Sequence, residues 1–317
     1  GHYAKAAAAT MAGLGSATGT DEISVRLLGL LILILIDLNL PEPGRALLDL
    51  REWRLDRLDG AFAEQEQFKD VESRGRLALR RGEHREALAW FRHKRAQAPE
   101  HKENGWRELA WLLYAAALVG PIEGDTDYAE ECRAILAGHP EPGTGNDPVL
   151  YLLRALAAWT WRRGDAAARD ALVAWLPELK TRLDGRQDIG PVGFALAYLH
   201  LDQRQRGDWS ALPAWESVRV GLEEDRYFLE LAIFDRLLDR PRPETEAWLT
   251  RHHRERRDTL GALTPEKLPD WLRSELPEMW SADVRGRESR ESQERDLLLA
   301  TAPPDWNALI AARLLPW

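Results

Sequence analysis

The chain has 317 residues, with 43 Lys+Arg against 52 Asp+Glu, a formal net charge of −9 and one cysteine. This length corresponds to about two ordinary domains or one elongated repeat domain. A single cysteine, Cys132, excludes an intramolecular disulfide framework and any multi-cysteine zinc or iron–sulfur site, and the negative charge argues against a general polyanion binder.

The apolar residues are mostly those that favour helices. The sequence contains 51 leucines against 9 valines and 9 isoleucines. Leucine and alanine lose little rotamer freedom in a helix, whereas β-branched residues favour strands. No alternating apolar–polar run of strand length is present, so the sequence predicts an all-α fold.

In chain order, the pattern predicts an alanine-rich first helix, a loop over residues 12–20, and a series of further helices. These helices are expected at 22–40, 45–58, 61–81, 83–98, 104–119, 126–137, 148–163, 166–183, 191–206, 209–222, 225–239, 244–257, 265–275, 285–300 and 305–315.

Residues 27–36 are all apolar or glycine. A membrane span needs about 20 such residues, so this segment is too short to cross a bilayer. We expect a helix that is buried on all sides and that ends at Pro41 and Pro43.

A weak internal repeat organises the middle of the chain. Glycine followed by an acidic residue occurs at Gly82, Gly124, Gly164 and Gly207, with gaps of 42, 40 and 43 residues. At three of these places basic residues precede the glycine, which suits the C-terminal end of a helix followed by a left-handed glycine cap. The spacing predicts one helical hairpin per period, and the alternative is an irregular helical bundle.

The segment GRLALRRGEHREALAWFRHKRAQAP, residues 75–99, resembles a tetratricopeptide repeat. Its Gly75, Gly82, Ala87, Phe91 and Pro99 have the spacing that this family uses for helix packing, for the turn and for the terminating proline. The other hairpins are longer than the 34-residue period of that family and are nearer to HEAT-like lengths. The resemblance implies antiparallel hairpins stacked as an irregular α-solenoid, with a concave groove that holds a protein or peptide.

The resemblance also implies which residues line the groove. On the one matching repeat, the implied partner-binding positions are Lys69, Glu72, Arg76 and Leu79. By weaker analogy, the later hairpins contribute Tyr151, Arg154, Trp161 and Arg204.

Three regions follow from this organisation. Residues 1–60 are expected to be N-terminal helices that cap the array, residues 61–240 to be the hairpin repeats, and residues 241–317 to be C-terminal helices. Proline-rich breaks at 139–148 and 241–243 mark the places where we expect the packing direction to change.

A search for catalytic or metal-binding motifs gives no catalytic residue, no metal site and no cofactor. His252 and His253 point about 100° apart on a helix, and the arginines around them predict a solvated basic face. His200 lies in an apolar run and is interpreted as structural. Cys132 follows two glutamates, which raise the pKa of a thiol, so we do not expect a nucleophile there.

Charge is unevenly distributed along the chain. Residues 74–102 carry nine Lys/Arg and three Glu, a local balance of +6 that leaves −15 for the rest. Residues 74–102, which we call the basic hairpin, are therefore an alternative nucleic-acid site. The other interpretation is that these cations lie on the solvated outer face of a repeat.

Together these features favour a non-enzymatic, cytoplasmic protein that binds another protein and does not enter a membrane. A dedicated inhibitor, such as an immunity protein that neutralises a bacterial toxin domain, belongs to this class. The alternatives are an all-α enzyme whose site is assembled from distant helices, and a nucleic-acid-binding regulator that uses residues 74–102. Among the 14 tryptophans, Trp161 is the first candidate for a partner contact.

Overall fold

The computed structural model describes residues 3–17, 21–58, 60–97, 102–120, 125–139, 147–207, 209, 211–240 and 242–275. Over these residues the chain is helical and has no strand, which confirms the predicted all-α class. The described α-helices are α1 (Tyr3–Ser16), α2 (Glu22–Asp37), α3 (Pro41–Leu55), α4 (Ala61–Arg80), α5 (His84–Gln97), α6 (Lys102–Val119), α7 (Asp125–Gly138), α8 (Pro148–Arg163), α9 (Ala166–Asp184), α10 (Ile189–Arg206), α11 (Trp215–Glu224), α12 (Phe228–Leu237), α13 (Pro243–Ala262) and α14 (Asp270–Glu275).

A short 3-10 helix at Pro265–Lys267 precedes α14. The helices predicted at 285–300 and 305–315 lie outside the described residues. In the part of the chain that is described, no helix has both the length and the apolar character needed to cross a membrane.

The chain divides into two compact units. One comprises the described parts of Gly1–Trp90 and Glu246–Leu314, and the other comprises those of Phe91–Thr245. The sequence predicts domain boundaries at residues 60 and 240, and these boundaries stay a prediction.

The core of the first unit combines residues from both ends of the sequence. Leu28 and Leu35 of α2 pack in one cluster with Leu268 and with Leu272 of α14. The indole of Trp271 donates a hydrogen bond to the carbonyl of Leu14 over 3.1 Å. The C-terminal helices therefore complete the core that α1, α2 and α3 begin.

Two differences from the predicted elements occur near the N-terminus. A loop is predicted at 12–20, but the chain is helical as far as Ser16. Gly13 has no side chain, which leaves room for Leu27 of α2: a Cβ on Gly13 would lie 3.0 Å from a methyl carbon of Leu27. Pro41 and Pro43 lie in the first turn of α3, although the sequence predicts that this helix begins at residue 45. Proline is tolerated there because the backbone N–H groups of the first turn have no partner within the helix, so the N–H that proline lacks is not missed.

Arg51 of α3 is a buried cation held by two carboxylates of α4. Its guanidinium donates to Glu66 and Asp70, and its Nε donates to the carbonyl of Val25 in α2 over 2.8 Å. Burial lowers the pKa of Arg51, and the charge of Glu66 opposes that effect. Since an unpaired buried charge is costly, this triad fixes α2, α3 and α4 relative to one another.

In the second unit, alternate helices pack on one another in two rows. In one row α6 packs on α8 and α8 packs on α10, and in the other α7 packs on α9 and α9 packs on α11. Each member of the first row also contacts the helix that follows it in the sequence. Within α6 to α11, helices therefore contact both their neighbours in the sequence and the next helix but one.

Glycines with positive φ end three helices where the sequence predicts a turn. Gly82, Gly164 and Gly207 have φ values of 74°, 67° and 75°. The fourth predicted turn glycine, Gly124, lies outside the described residues, and Gly120, with φ of 97°, follows α6 instead. Glycine adopts this left-handed region without the Cβ clash that other residues incur.

Arginine side chains connect the ends of the first-row helices. Arg163 at the end of α8 donates to the carbonyl of Ala116 in α6 over 2.8 Å and also to that of Gly120. Arg206 at the end of α10 donates to the carbonyl of Trp161 in α8 over 2.8 Å. Each arginine satisfies terminal carbonyls of the preceding first-row helix, which have no partner within their own helix.

Replacing Arg51 by methionine tests the buried triad. We expect Arg51→Met to lower the free energy of unfolding by about 3–5 kcal/mol, because Glu66 and Asp70 would be left buried without their cation. Urea denaturation measures this change. Arg45→Met, which removes an exposed arginine of the same helix, is the matched control and should change stability by less than about 0.5 kcal/mol. Equal stability of the two variants would contradict the interpretation.

Candidate partner-binding surface

The predicted groove residues of α4 differ in their accessibility. The side chain of Lys69 is 57% exposed, and its ammonium lies 2.6 Å from Glu66. Glu72 and Leu79 are buried. Arg76 donates to Asp37 at the end of α2 over 2.8 Å. Of these four positions, Lys69 alone is largely open to solvent.

The predicted residues of α8 form an aromatic and cationic cluster. Arg154 is buried, and its guanidinium carbon lies 5.0 Å from the ring centre of Tyr151 and 5.7 Å from that of Phe194. Burial lowers the pKa of Arg154 to about 10, although nearby tyrosines, Tyr151 first among them, act in the opposite direction. The structure therefore brings Tyr151 and Arg154 together, with Tyr151 half-buried.

Trp161 and Arg204 lie further along the same row of helices. Trp161 is 1% exposed and stacks on Tyr198 with a centroid distance of 5.6 Å. Arg204 is partly exposed; it donates to the carbonyl of Leu237 over 2.9 Å and lies 3.3 Å from Asp239. Trp161 is thus a packing residue in this structure, whereas Arg204 is accessible.

The burial of these side chains follows from the helices that carry them. Almost every residue of α8 from Val149 to Trp161 is buried, and so is almost every residue of α10 from Ile189 to Asp202. A helix that is apolar around its whole circumference is expected to lie inside a protein. The run IGPVGFALAYLHL in α10 is a sequence signal of this kind, and it could have been recognised.

His200 is buried and hydrogen-bonded to the backbone. Its Nε2 donates to the carbonyl of Pro213 over 3.0 Å, and its ring lies 5.6 Å from that of Trp215. Desolvation lowers the pKa of His200 to about 4, although the hydrogen bond to Pro213 raises it. This geometry agrees with the structural role expected for His200.

The thiol of Cys132 is buried, and desolvation, followed by the charge of Glu131, raises its pKa far above the ordinary range. A thiol in this state is not a nucleophile. Within the described residues, no group of three or more His, Cys, Asp and Glu side chains could hold a metal ion.

The predicted solvated basic face at His252 and His253 is wrong in one respect. His252 and Arg256 are buried, and Arg256 donates to the carbonyl of Asn39 over 3.2 Å. The two buried residues are four positions apart, so they lie on one face of α13. This face points into the first unit, while Arg251 and Arg257 are exposed.

Five of the nine cations of the basic hairpin form ion pairs with carboxylates in the described residues. Such pairing reduces the positive charge available to phosphates. The ion pairs are Arg74 with Glu52 and Asp49, Arg76 with Asp37, Arg81 with Glu42 and Glu83, Lys94 with Glu108, and Arg95 with Glu131.

Buried carboxylates bind indole groups in the second unit. Trp209 donates to Asp202 over 2.8 Å, and Trp215 donates to Asp235 over 3.0 Å. Desolvation raises the pKa of Asp235 despite the hydrogen bond from Trp215. Sequence analysis did not identify these pairs, because their members are separated by 7 and 20 residues and follow no motif.

Large apolar side chains are exposed along one face of α2. Ile23, Leu30 and Leu33 are 64%, 48% and 37% exposed. The sequence predicts that residues 27–36 are buried on all sides, and for Leu30 and Leu33 this is wrong. A core helix can contact its neighbours through one face only, and the sequence does not reveal that the opposite face of α2 is partly exposed.

Comparison with known proteins identified no matching family model, no matching curated protein and no matching solved structure.

The depressed pKa of His200 predicts a stability that depends on pH. Between about pH 6.5 and 4, His200 takes up a proton in the unfolded chain and not in the folded one, so the free energy of unfolding falls as the pH falls through this window. The maximal contribution is about 3 kcal/mol. Urea denaturation at a series of pH values measures it.

His200→Gln should flatten the slope of stability against pH in that window. His93→Gln, at an exposed position of α5, is the control variant. If His200→Gln retains the full slope of the parent chain, then His200 is not the buried neutral group responsible.

Proposed function

We propose that this protein is a non-enzymatic helical-repeat scaffold that binds another protein. The observation that carries the proposal is the double row of the second unit, in which α6, α8 and α10 form one row and α7, α9 and α11 form the other. Stacked helical pairs of this kind are the building principle of α-solenoids, whose extended surfaces bind proteins and peptides.

The links between successive pairs support this interpretation. Arg163 and Arg206 occupy corresponding positions, each immediately before a turn glycine, and each donates to the end of the preceding first-row helix. A contact that recurs at equivalent positions of neighbouring pairs is expected of a repeat and is not required of an irregular bundle.

The chemistry of the titratable side chains favours binding over catalysis. His200 is bonded to a carbonyl, and the carboxylates of Asp202 and Asp235 accept hydrogen bonds from indoles. Groups used in this way stabilise packing. Lys69 in the first unit and Arg204 in the second are the accessible members of the predicted partner-binding set, and we assign a separate partner contact to each.

Within this class, a dedicated inhibitor of a toxin domain suits the net charge of −9, because an acidic protein attracts a basic partner. The proposal predicts that a gene adjacent to the one for this chain encodes a protein that is lethal when expressed alone. It also predicts that co-expression of this chain restores growth.

The binding proposal is tested with the full chain, tagged and recovered from its own cells. We expect one protein to co-purify in a stoichiometric complex. Lys69→Ala and Arg204→Ala should each weaken that complex by roughly fivefold, or 1 kcal/mol, while calorimetry shows that the chain is still folded.

Lys180→Ala, on the exposed surface of α9, is the matched control and should leave the complex intact. If Lys69→Ala and Arg204→Ala bind as tightly as Lys180→Ala, the assigned contacts are wrong. If no stoichiometric partner is recovered under any growth condition, the scaffold proposal fails.

A further inference from the structure

Five positions on the partly exposed face of α2 form a regular series: Ile23, Arg26, Leu30, Leu33 and Asp37. Their spacing is three, four, three and four residues, which is the spacing of a helix-pairing seam. Ile23, Leu30 and Leu33 expose large apolar surface, and the Asp37 side chain is 40% exposed. Arg26 is exposed, with its guanidinium carbon 5.1 Å from the ring centre of Phe62. We call this series the α2 stripe.

We propose that the α2 stripe is a self-association surface on which α2 of one copy packs antiparallel to α2 of a second copy. In the register that places Leu30 opposite the partner's Leu33, Arg26 lies opposite the partner's Asp37. Leu30 and Leu33 then face the partner's Leu33 and Leu30, and an ion pair lies on either side of them. Ile23 lies beyond the ion pair, next to the C-terminal end of the partner's α2.

Charge selects the antiparallel arrangement. Parallel pairing of two identical stripes would place Arg26 against the partner's Arg26 and Asp37 against the partner's Asp37, and like charges in contact are unfavourable. An antiparallel pair obeys a two-fold axis, so every contact occurs twice and the assembly stops at a dimer. The axis passes between Leu31 and Ile32, which both belong to the core of their own copy.

Asp37 can accept the additional guanidinium. Its Oδ1 already receives the hydrogen bond from Arg76, and its partial exposure leaves room for a second donor. The N-terminal end of α2 is fixed independently, because the carboxylate of Asp21 accepts a hydrogen bond from the backbone N–H of Ser24 over 2.6 Å. The stripe is therefore held on a rigid helix.

The dimer is expected to be weak. The 16 residues of α2 span roughly 24 Å, and a contact between two such helices lies at the small end of protein interfaces, below about 1,200 Å². We therefore expect a monomer–dimer equilibrium that depends on concentration. Sedimentation equilibrium of the full chain measures this equilibrium.

Substitution on the stripe should shift the equilibrium without unfolding the chain, because the altered side chains are exposed. We expect Leu30→Glu to weaken the dimer by at least about tenfold, or 1.4 kcal/mol, at an unchanged melting temperature. Arg26→Glu should weaken it in the same direction, whereas Arg45→Glu, at an exposed position of α3, is the matched control and should not.

Cysteine cross-linking tests the register. The native thiol of Cys132 is buried, so it does not compete with a cysteine introduced at the surface. A mixture of the Leu30→Cys and Leu33→Cys chains should form mixed disulfides faster than either chain alone under air oxidation. The Val173→Cys chain, altered at an exposed position of α9, gives the rate of random collision.

Faster mixed cross-linking together with loss of the dimer in Leu30→Glu supports the proposal. A chain that stays monomeric at every concentration, or that cross-links no faster than the Val173→Cys control, overturns it. Preferential disulfides between two Leu30→Cys chains overturn the antiparallel register.

Discussion

The burial of α8 and α10 is the constraint on which the second unit depends. A helix without a solvent-facing side has little access to water for its polar side chains and terminal carbonyls, so other parts of the protein supply partners for them. Arg206 supplies one at the end of α8, and Arg163 does the same for α6. The tryptophans serve this constraint too, because Trp209 and Trp215 provide the donors that the buried carboxylates of Asp202 and Asp235 need.

The class of the fold and most helix positions could be predicted, because they follow from local preferences for leucine, alanine, glycine and proline. Gly164 and Gly207 end helices where the repeat predicted a turn. The sequence predicts that Pro41 ends a helix, whereas Pro41 begins α3. Both outcomes follow from the same property of proline, its missing N–H, which disrupts a helix interior and is tolerated in the first turn. The rule does not say on which side of the proline the helix lies.

The candidate site was harder to predict, since exposure depends on elements that are distant in sequence. Tyr151 and Arg154 share one helix and were expected to share a surface, yet Arg154 is buried against Phe194 of α10. Arg256 shows the same difficulty: a run of arginines indicates solvent, and only the four-residue spacing from His252 indicates a buried face. Local sequence supplies the periodicity of a helix but not the identity of what covers each side.

Charge along the sequence is also a poor guide to charge at the surface. The excess of cations in residues 74–102 is offset by carboxylates from several other helices, as in the pair of Lys94 with Glu108, which lie 3.3 Å apart and are both buried. The attraction between a basic segment and its acidic neighbours therefore contributes to packing within each unit.

The shared core of Leu28, Leu35, Leu268 and Leu272 has a consequence for biosynthesis. The ribosome releases α1, α2 and α3 first, but the residues that close their core follow only after all of Phe91–Thr245 has been made. At about 5–20 residues per second, this delay is roughly ten to forty seconds. During that time the second unit can complete its own fold. The apolar faces of α1, α2 and α3 stay exposed over the same period and can bind chaperones.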